Sequence, residues 1–207
     1  MKRLSRRMLL TGGATALAVG ASAGVALAVA ITFSISPGGA ITAKAGKTTL
    51  TDTKTHTVLT CASSSSSGTL KKGHGISGAG LGTISKLSFS TCTGPLSLTF
   101  TVKTTHFPWH LNAKTFSGGV TTGTISGIHA TLSGPSCSAV VDGTSATANN
   151  GMVTAKYSNS TGKLTTTGAG NLHIYNVSGC AGLINTGDAT QFTGVYTVSP
   201  TQKITSP

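Results

Sequence analysis

Side chains able to do acid–base chemistry are few in this chain and far apart. Only three carboxylates occur, Asp52, Asp142 and Asp188. A glycosidase needs two carboxylates flanking one bond, and a calcium cage needs several oxygens together, so neither chemistry is well supplied. Asp188, in Asn185-Thr186-Gly187-Asp188, reads more simply as an Asx-type loop residue. Six His stand at 56, 74, 106, 110, 129 and 173. His106 and His110 have the i,i+4 spacing of a helical metal pair, but Pro108 between them is incompatible with an ordinary helix. His129 and His173 fall in strand-like segments and could meet across a sheet. No spacing matches a zinc site, and no metal, cofactor or catalytic residue is expected. The nearest approach to a nucleophile elbow, Gly134-Pro135-Ser136-Cys137, lacks its last Gly, which leaves a hydrolase as the weakest alternative.

The four cysteines offer a different chemistry. Cys61, Cys92, Cys137 and Cys180 are even in number, and no two are close enough for a zinc pair or a Cys-x-x-Cys redox motif. Structural disulfides are the expectation. Three connectivities exist, and a faint internal symmetry favours Cys61–Cys92 with Cys137–Cys180. In each half a Cys is followed by Gly-Thr, several strands, Cys-x-Gly and a closing alternating segment.

Disulfides imply export, and the N-terminus supplies an address. Ser5-Arg6-Arg7-Met8-Leu9-Leu10 resembles the twin-arginine export motif, with Arg6 and Arg7 as its pair. Residues 11–30 carry no charge and are rich in Ala, Gly, Val and Thr. Small-x-small sites end at Ala23, Ala28 and Ala30, and cleavage after Ala30 is expected because alternation starts at Ile31. The alternative is a retained single-pass anchor, since the uncharged run over residues 8–43 is long enough to span a bilayer. Either way the expectation is a signal over residues 1–30 and one domain over 31–207 outside the cytoplasm, with the export translocase as a first partner.

Charge narrows the other partners. All three Arg lie in the first seven residues, and the remainder has eleven Lys against three Asp, a net of +8. That balance suits anionic cell-wall polymers or a lipid surface. Nucleic acid fits poorly, because the exported part has no Arg, few aromatics and no basic cluster beyond Lys71-Lys72. Lys71 and Lys72 are therefore candidate surface contacts. Trp109, the only Trp, is another if it is exposed; buried, it would be the largest anchor of the core, which is the commoner fate of Trp.

The elements that must position these residues read as strands. Thr and Ser dominate the polar positions, strong helix formers are scarce, and no helical period appears after residue 30. The clearest strand covers residues 96–103, with Leu96, Leu98, Phe100 and Val102 on one face. From Cys137 onward, segments 153–157, 163–167 and 172–177 suggest a meander, with a two-residue hairpin at Asn150-Gly151 and turns at Thr161-Gly162 and residues 168–170. Residues 48–60 are polar on both faces, an edge strand or a lead-in. Residues 63–67, five consecutive Ser, read as a flexible loop. The fold class is all-β, an antiparallel sandwich or barrel with a meander in the C-terminal half, behind an apolar signal helix.

Several short motifs carry a resemblance. Cys92-Thr93-Gly94-Pro95, Pro108-Trp109, Gly119-Val120-Thr121-Thr122-Gly123, Gly179-Cys180-Ala181-Gly182-Leu183 and Tyr196-Thr197-Val198-Ser199-Pro200 are similar to uncharacterised small exported Ser/Thr-rich four-cysteine β proteins of actinobacteria. The resemblance covers nearly the whole exported part and implies export and one β domain. It carries over no catalytic residue and no substrate. The reading is a non-catalytic extracellular β module at or near the cell envelope that binds anionic polymers or surfaces. The second reading is a ligand-carrying or membrane-inserting barrel. Oligomeric state is left open.

Overall fold

The computed structural model describes residues 31–207, so the expected signal with Arg6 and Arg7 lies outside the described residues. Sixteen strands follow in chain order: β1 (Thr32–Ser36), β2 (Gly39–Ala45), β3 (Thr48–Asp52), β4 (Val58–Leu70), β5 (Gly73–Ser77), β6 (Gly82–Thr93), β7 (Thr99–Thr104), β8 (Trp109–Ser117), β9 (Val120–Ile128), β10 (Ala130–Gly134), β11 (Cys137–Asp142), β12 (Gly151–Ser158), β13 (Lys163–Gly170), β14 (His173–Ser178), β15 (Thr190–Ser199) and β16 (Lys203–Thr205). All their ladders are antiparallel.

The choice between sandwich and barrel falls to the barrel. β2 and β3 run in one direction, separated by Gly46 and Lys47, and both pair with β4 on one side and β15 on the other. They act as one interrupted stave. Around the wall the order is β2/β3, β4, β6, β8, β9, β12, β13, β15, and back to β2/β3. Eight staves thus follow one another in chain order, a count that leaves an interior just wide enough for side chains or one small ligand. Alternation explains the wall. In β15, Gly194, Tyr196 and Val198 are buried, while Gln191, Val195, Thr197 and Ser199 face out. In β12, Val153, Ala155 and Tyr157 point in and Lys156 points out.

The remaining strands are excursions from this circuit, and each excursion closes an end. Between β4 and β6 the chain makes β5, which joins β1 and β16 in a three-stranded sheet. Phe33, Ile35 and Ile204 of that sheet pack with Leu70, Tyr157, Tyr196 and Val198 of the barrel and plug one end. At the other end β7, β10, β11 and β14 form a second wall that grows from β6. It reaches the start of β15 through Ile174 N–H to Asp188 O and Thr190 N–H to Leu172 O. Leu132, Val141 and Ile174 from this wall join Ile84, Trp109, Ile125 and Val153 in the main core.

Five local expectations need correction. The meander is interrupted, because β10, β11 and β14 leave the barrel for the second wall. Residues 63–67 are not a loop but the middle of β4, paired with β2 and β6 on both sides. Ser64 is buried there and donates a hydrogen bond to the Tyr196 hydroxyl. Leu96 is not in a strand: Thr93 pairs with Thr99, so the chain must reverse within five residues, through a 3-10 turn at Pro95–Ser97. Leu96 takes φ 56° and is 89 % exposed. Asn150-Gly151 makes no two-residue hairpin, because β12 pairs with β9 and β13 while β11 pairs with β10 and β14. Residues 168–170 end β13 with a bulge rather than forming a turn, whereas Thr161-Gly162 turns as expected, with Gly162 at φ 64°.

Candidate functional site

The main core is not completely filled. A cavity of about 90 Å³ lies between the barrel wall and the second wall. Its surfaces come from Leu50 on β3, Leu59 on β4, Ile84, Leu87 and Phe89 on β6, Val102 on β7, Trp109 on β8, Leu132 on β10 and Phe192 on β15. Phe89 and Phe192 meet edge to face, with ring centroids 5.8 Å apart. No Lys, Arg, His, Asp or Glu lines the chamber. Tyr196 contributes its ring, and burial pushes its phenol up to about 12, a rise that the hydrogen bond from Ser64 offsets only in part. The lining is therefore neutral. A second cavity of about 70 Å³ shares Ile125 and Leu164 with the first, on the side of the three-stranded cap.

Trp109 is placed by its corner. It opens β8, its indole N–H donates to Thr105 O, and its ring stacks on Phe107 at 4.9 Å. At 3 % exposure it forms a chamber wall, so it offers no surface contact and the core-anchor expectation holds. Lys71 and Lys72 are exposed between β4 and β5. Both disulfides have the expected partners. Cys61–Cys92 joins directly paired positions of β4 and β6, and Cys137–Cys180 ties the start of β11 to the segment after β14.

The titratable residues gather chiefly around Asp142, which has no exposed surface. Its Oδ2 accepts from His129 Nδ1 at 2.9 Å and from Asn149 N–H; Oδ1 accepts from Gly143, Asn150 and Gly151 N–H. Burial alone would raise this carboxyl; the bonds from His129, Gly143, Asn149 and Asn150 outweigh it and hold the pKa below its ordinary value. The exposed His106 ring stands edge-on to His129, centroids 4.5 Å apart. No Ser, Thr or Cys side chain is hydrogen-bonded to His129, so the dyad has no nucleophile in place among the described residues. His173 pairs in register with Asp142, but its Nδ1 bonds to Asn171 O. His110 is exposed on β8 and does not join His106. Among the described residues no group of three or more His, Cys, Asp or Glu is arranged to hold a metal ion.

The other two carboxylates also serve loops. Asp52 Oδ1 caps the turn at Lys54 and Thr55. Asp188 accepts from the backbone and side chain of Asn185, three residues before it, so it closes its loop without the Asx-turn bond to the residue two further on; Lys54 lies at 3.4 Å. The pKa of Asp188 is lowered although burial raises it, because the Asn185 bonds and the Lys54 charge prevail.

The sequence reading missed the chamber itself. Its signal was present as alternation, Leu87-x-Phe89 and Thr48-x-Leu50, but which alternating faces share one interior depends on strand order. No helix of the described residues is long and apolar enough to cross a membrane.

These features define a closed, eight-staved antiparallel barrel, capped at both ends, hydroxyl-rich outside and carbon-lined within. A family model described as alkane oxidation protein activator PraA/PraB-like matches residues 1–206, and the chain belongs to that family. No curated protein and no solved structure matches the chain.

Proposed function

We propose that the chain is a non-catalytic carrier acting outside the cytoplasm, which holds a short apolar chain inside its barrel and thereby serves alkane oxidation. The chamber carries this reading: it lies between two walls, and its lining is largely carbon with no charged side chain. The family description names alkane oxidation, and an alkane is the kind of molecule such a lining suits. Its volume of about 90 Å³ takes roughly six to nine atoms of water size, because one such group needs about 10–15 Å³ on this measure. Polarity favours a carrier over a membrane-inserting barrel. Ser65, Lys86, Ser90, Lys156 and Thr197 face outward from the staves, the reverse of the apolar belt that a bilayer requires. Two disulfides support a location outside the cytoplasm.

Trp109 is the only Trp and lines the chamber, so its emission reports filling directly. Titrating the purified protein with n-heptane is expected to shift Trp109 emission saturably, with one added mass per chain in native mass spectrometry. A linear or absent response with no added mass overturns the carrier.

A second reading concerns the outside. All three Asp are buried, so the described surface displays Lys without a fully exposed carboxylate side chain to balance it. Docking on an anionic wall polymer or lipid surface, with Lys71 and Lys72 among the contacts, follows from that charge.

A further inference from the structure

One atom of the chamber does not fit a pure hydrocarbon. Thr48, the first residue of β3, lines the cavity, is 1 % exposed, and its hydroxyl has no hydrogen-bond partner. A buried hydroxyl without a partner is destabilising, and Val would fill a similar volume without that cost. The methyl branch of Thr48 is spent against β15, where a Cβ added at Gly194 would lie 2.9 Å from it. The hydroxyl is the branch left over. Other hydroxyls around the chamber are occupied: Thr49 bonds to Thr193, Thr104 to Leu87 O, Thr166 to Gly194 O, and Tyr196 accepts from Ser64. Ser66 is only partly buried.

Resting on the carrier reading above, we infer that the chamber takes a chain bearing one neutral oxygen, a short primary alcohol whose hydroxyl pairs with Thr48 Oγ1. The methylenes then lie against Leu50, Ile84, Phe89 and Phe192. A carboxylate is excluded by the same lining, since no cationic side chain faces the chamber and an unpaired buried charge is far more costly than an unpaired hydroxyl.

The test compares 1-hexanol, n-heptane and hexanoate, with Trp109 emission as the readout, in the unaltered protein, Thr48→Val and Thr48→Ser. In Thr48→Val, heptane affinity is expected to hold while the preference for hexanol over heptane falls roughly three- to tenfold, the range of one net hydrogen bond. Thr48→Ser keeps the preference. In the unaltered protein, the C1 protons of bound hexanol should show nuclear Overhauser contacts to the Thr48 methyl, a readout that needs no variant. Equal hexanol preference in Thr48→Val and the unaltered protein, C1 protons remote from Thr48, or tighter binding of hexanoate overturns the alcohol and leaves the carrier standing. Binding of none of the three overturns the carrier and the alcohol with it.

Discussion

A single carboxylate organises a polar corner of the interior. Asp142 gathers four backbone N–H groups and the His129 ring, and through them fixes the crossing from the second wall into β12. Replacing Asp142 by Ala would leave five donors facing an empty site. The expected cost is about 1–3 kcal/mol, the range for leaving buried donors without their partner, measurable by urea unfolding. The pH dependence has a definite sign. The folded pKa lies below the ordinary carboxylate value of 3.8, so the stabilisation is complete above that value and is lost as pH falls from it toward the folded pKa. Asp188 adds to the trend in the same direction. Stability should be level across roughly pH 5–7 and fall in the acid range, and Asp142→Asn should decline less steeply there. An equal acid slope in both proteins would remove Asp142 from this role. Trp109 belongs to the same scale: Trp109→Ala deletes a chamber wall and should cost about 3–5 kcal/mol, read as a lowered urea midpoint.

Elements show why some of this was legible in the sequence and some was not. Cysteine number and spacing exclude a metal site, and both pairings follow the internal symmetry; Cys61 and Cys92 indeed face each other on adjacent strands. Alternation exposes strands such as β12 and β15, where one face is buried and the next residue is not. It does not reveal partners. The five Ser of residues 63–67 carry no apolar period, and only β2 and β6 on either side make them a strand. Leu96 continues an apolar alternation, yet Pro95 and the pairing of Thr93 with Thr99 turn the chain away. The Asp142 site escaped for a related reason, because four of its five donors are backbone groups that leave no signature in residue types. The two bridges differ at this scale. A loop of 31 or 43 residues gives about 3.5–4 kcal/mol in the chain-entropy model. Cys61–Cys92 reinforces strands that nine further paired positions already hold, counting along β4 and β6; Cys137–Cys180 ties down the end of the second wall. Cys137→Ser with Cys180→Ser should therefore speed amide exchange selectively in β11 and β14 while the barrel staves stay protected. Uniform loss of protection would mean that the second wall has no stability of its own to lose.

At the scale of the molecule, the fold separates charge by sign. Every carboxylate side chain of the described residues is 4 % exposed or less, each taken up by loop hydrogen bonds, whereas Lys44, Lys71, Lys72, Lys86, Lys103, Lys156, Lys163 and Lys203 stand exposed. Burying the acids is what makes the exterior uniformly cationic; with eleven Lys against three Asp after residue 30, exposed acids would have broken the field into patches. A field spread over the whole wall attracts an extended polyanion without demanding one binding face. Its energy is screened within a Debye length, roughly 10 Å at 0.1 M salt and 3 Å at 1 M. Retention on immobilised anionic wall polymer is accordingly expected at low ionic strength and should vanish by about 1 M salt. Lys71→Ala with Lys72→Ala removes two of the eleven lysines that follow residue 30 and should shift the eluting salt concentration modestly rather than abolish retention. Abolition would instead place a local docking patch at the β4–β5 turn beside the three-stranded cap, remote from the second wall. Asp142→Asn removes one buried negative charge and no surface lysine, so it should raise the eluting salt concentration only slightly even as it lowers stability. Fold stability and surface charge would then be shown to rest on different residues.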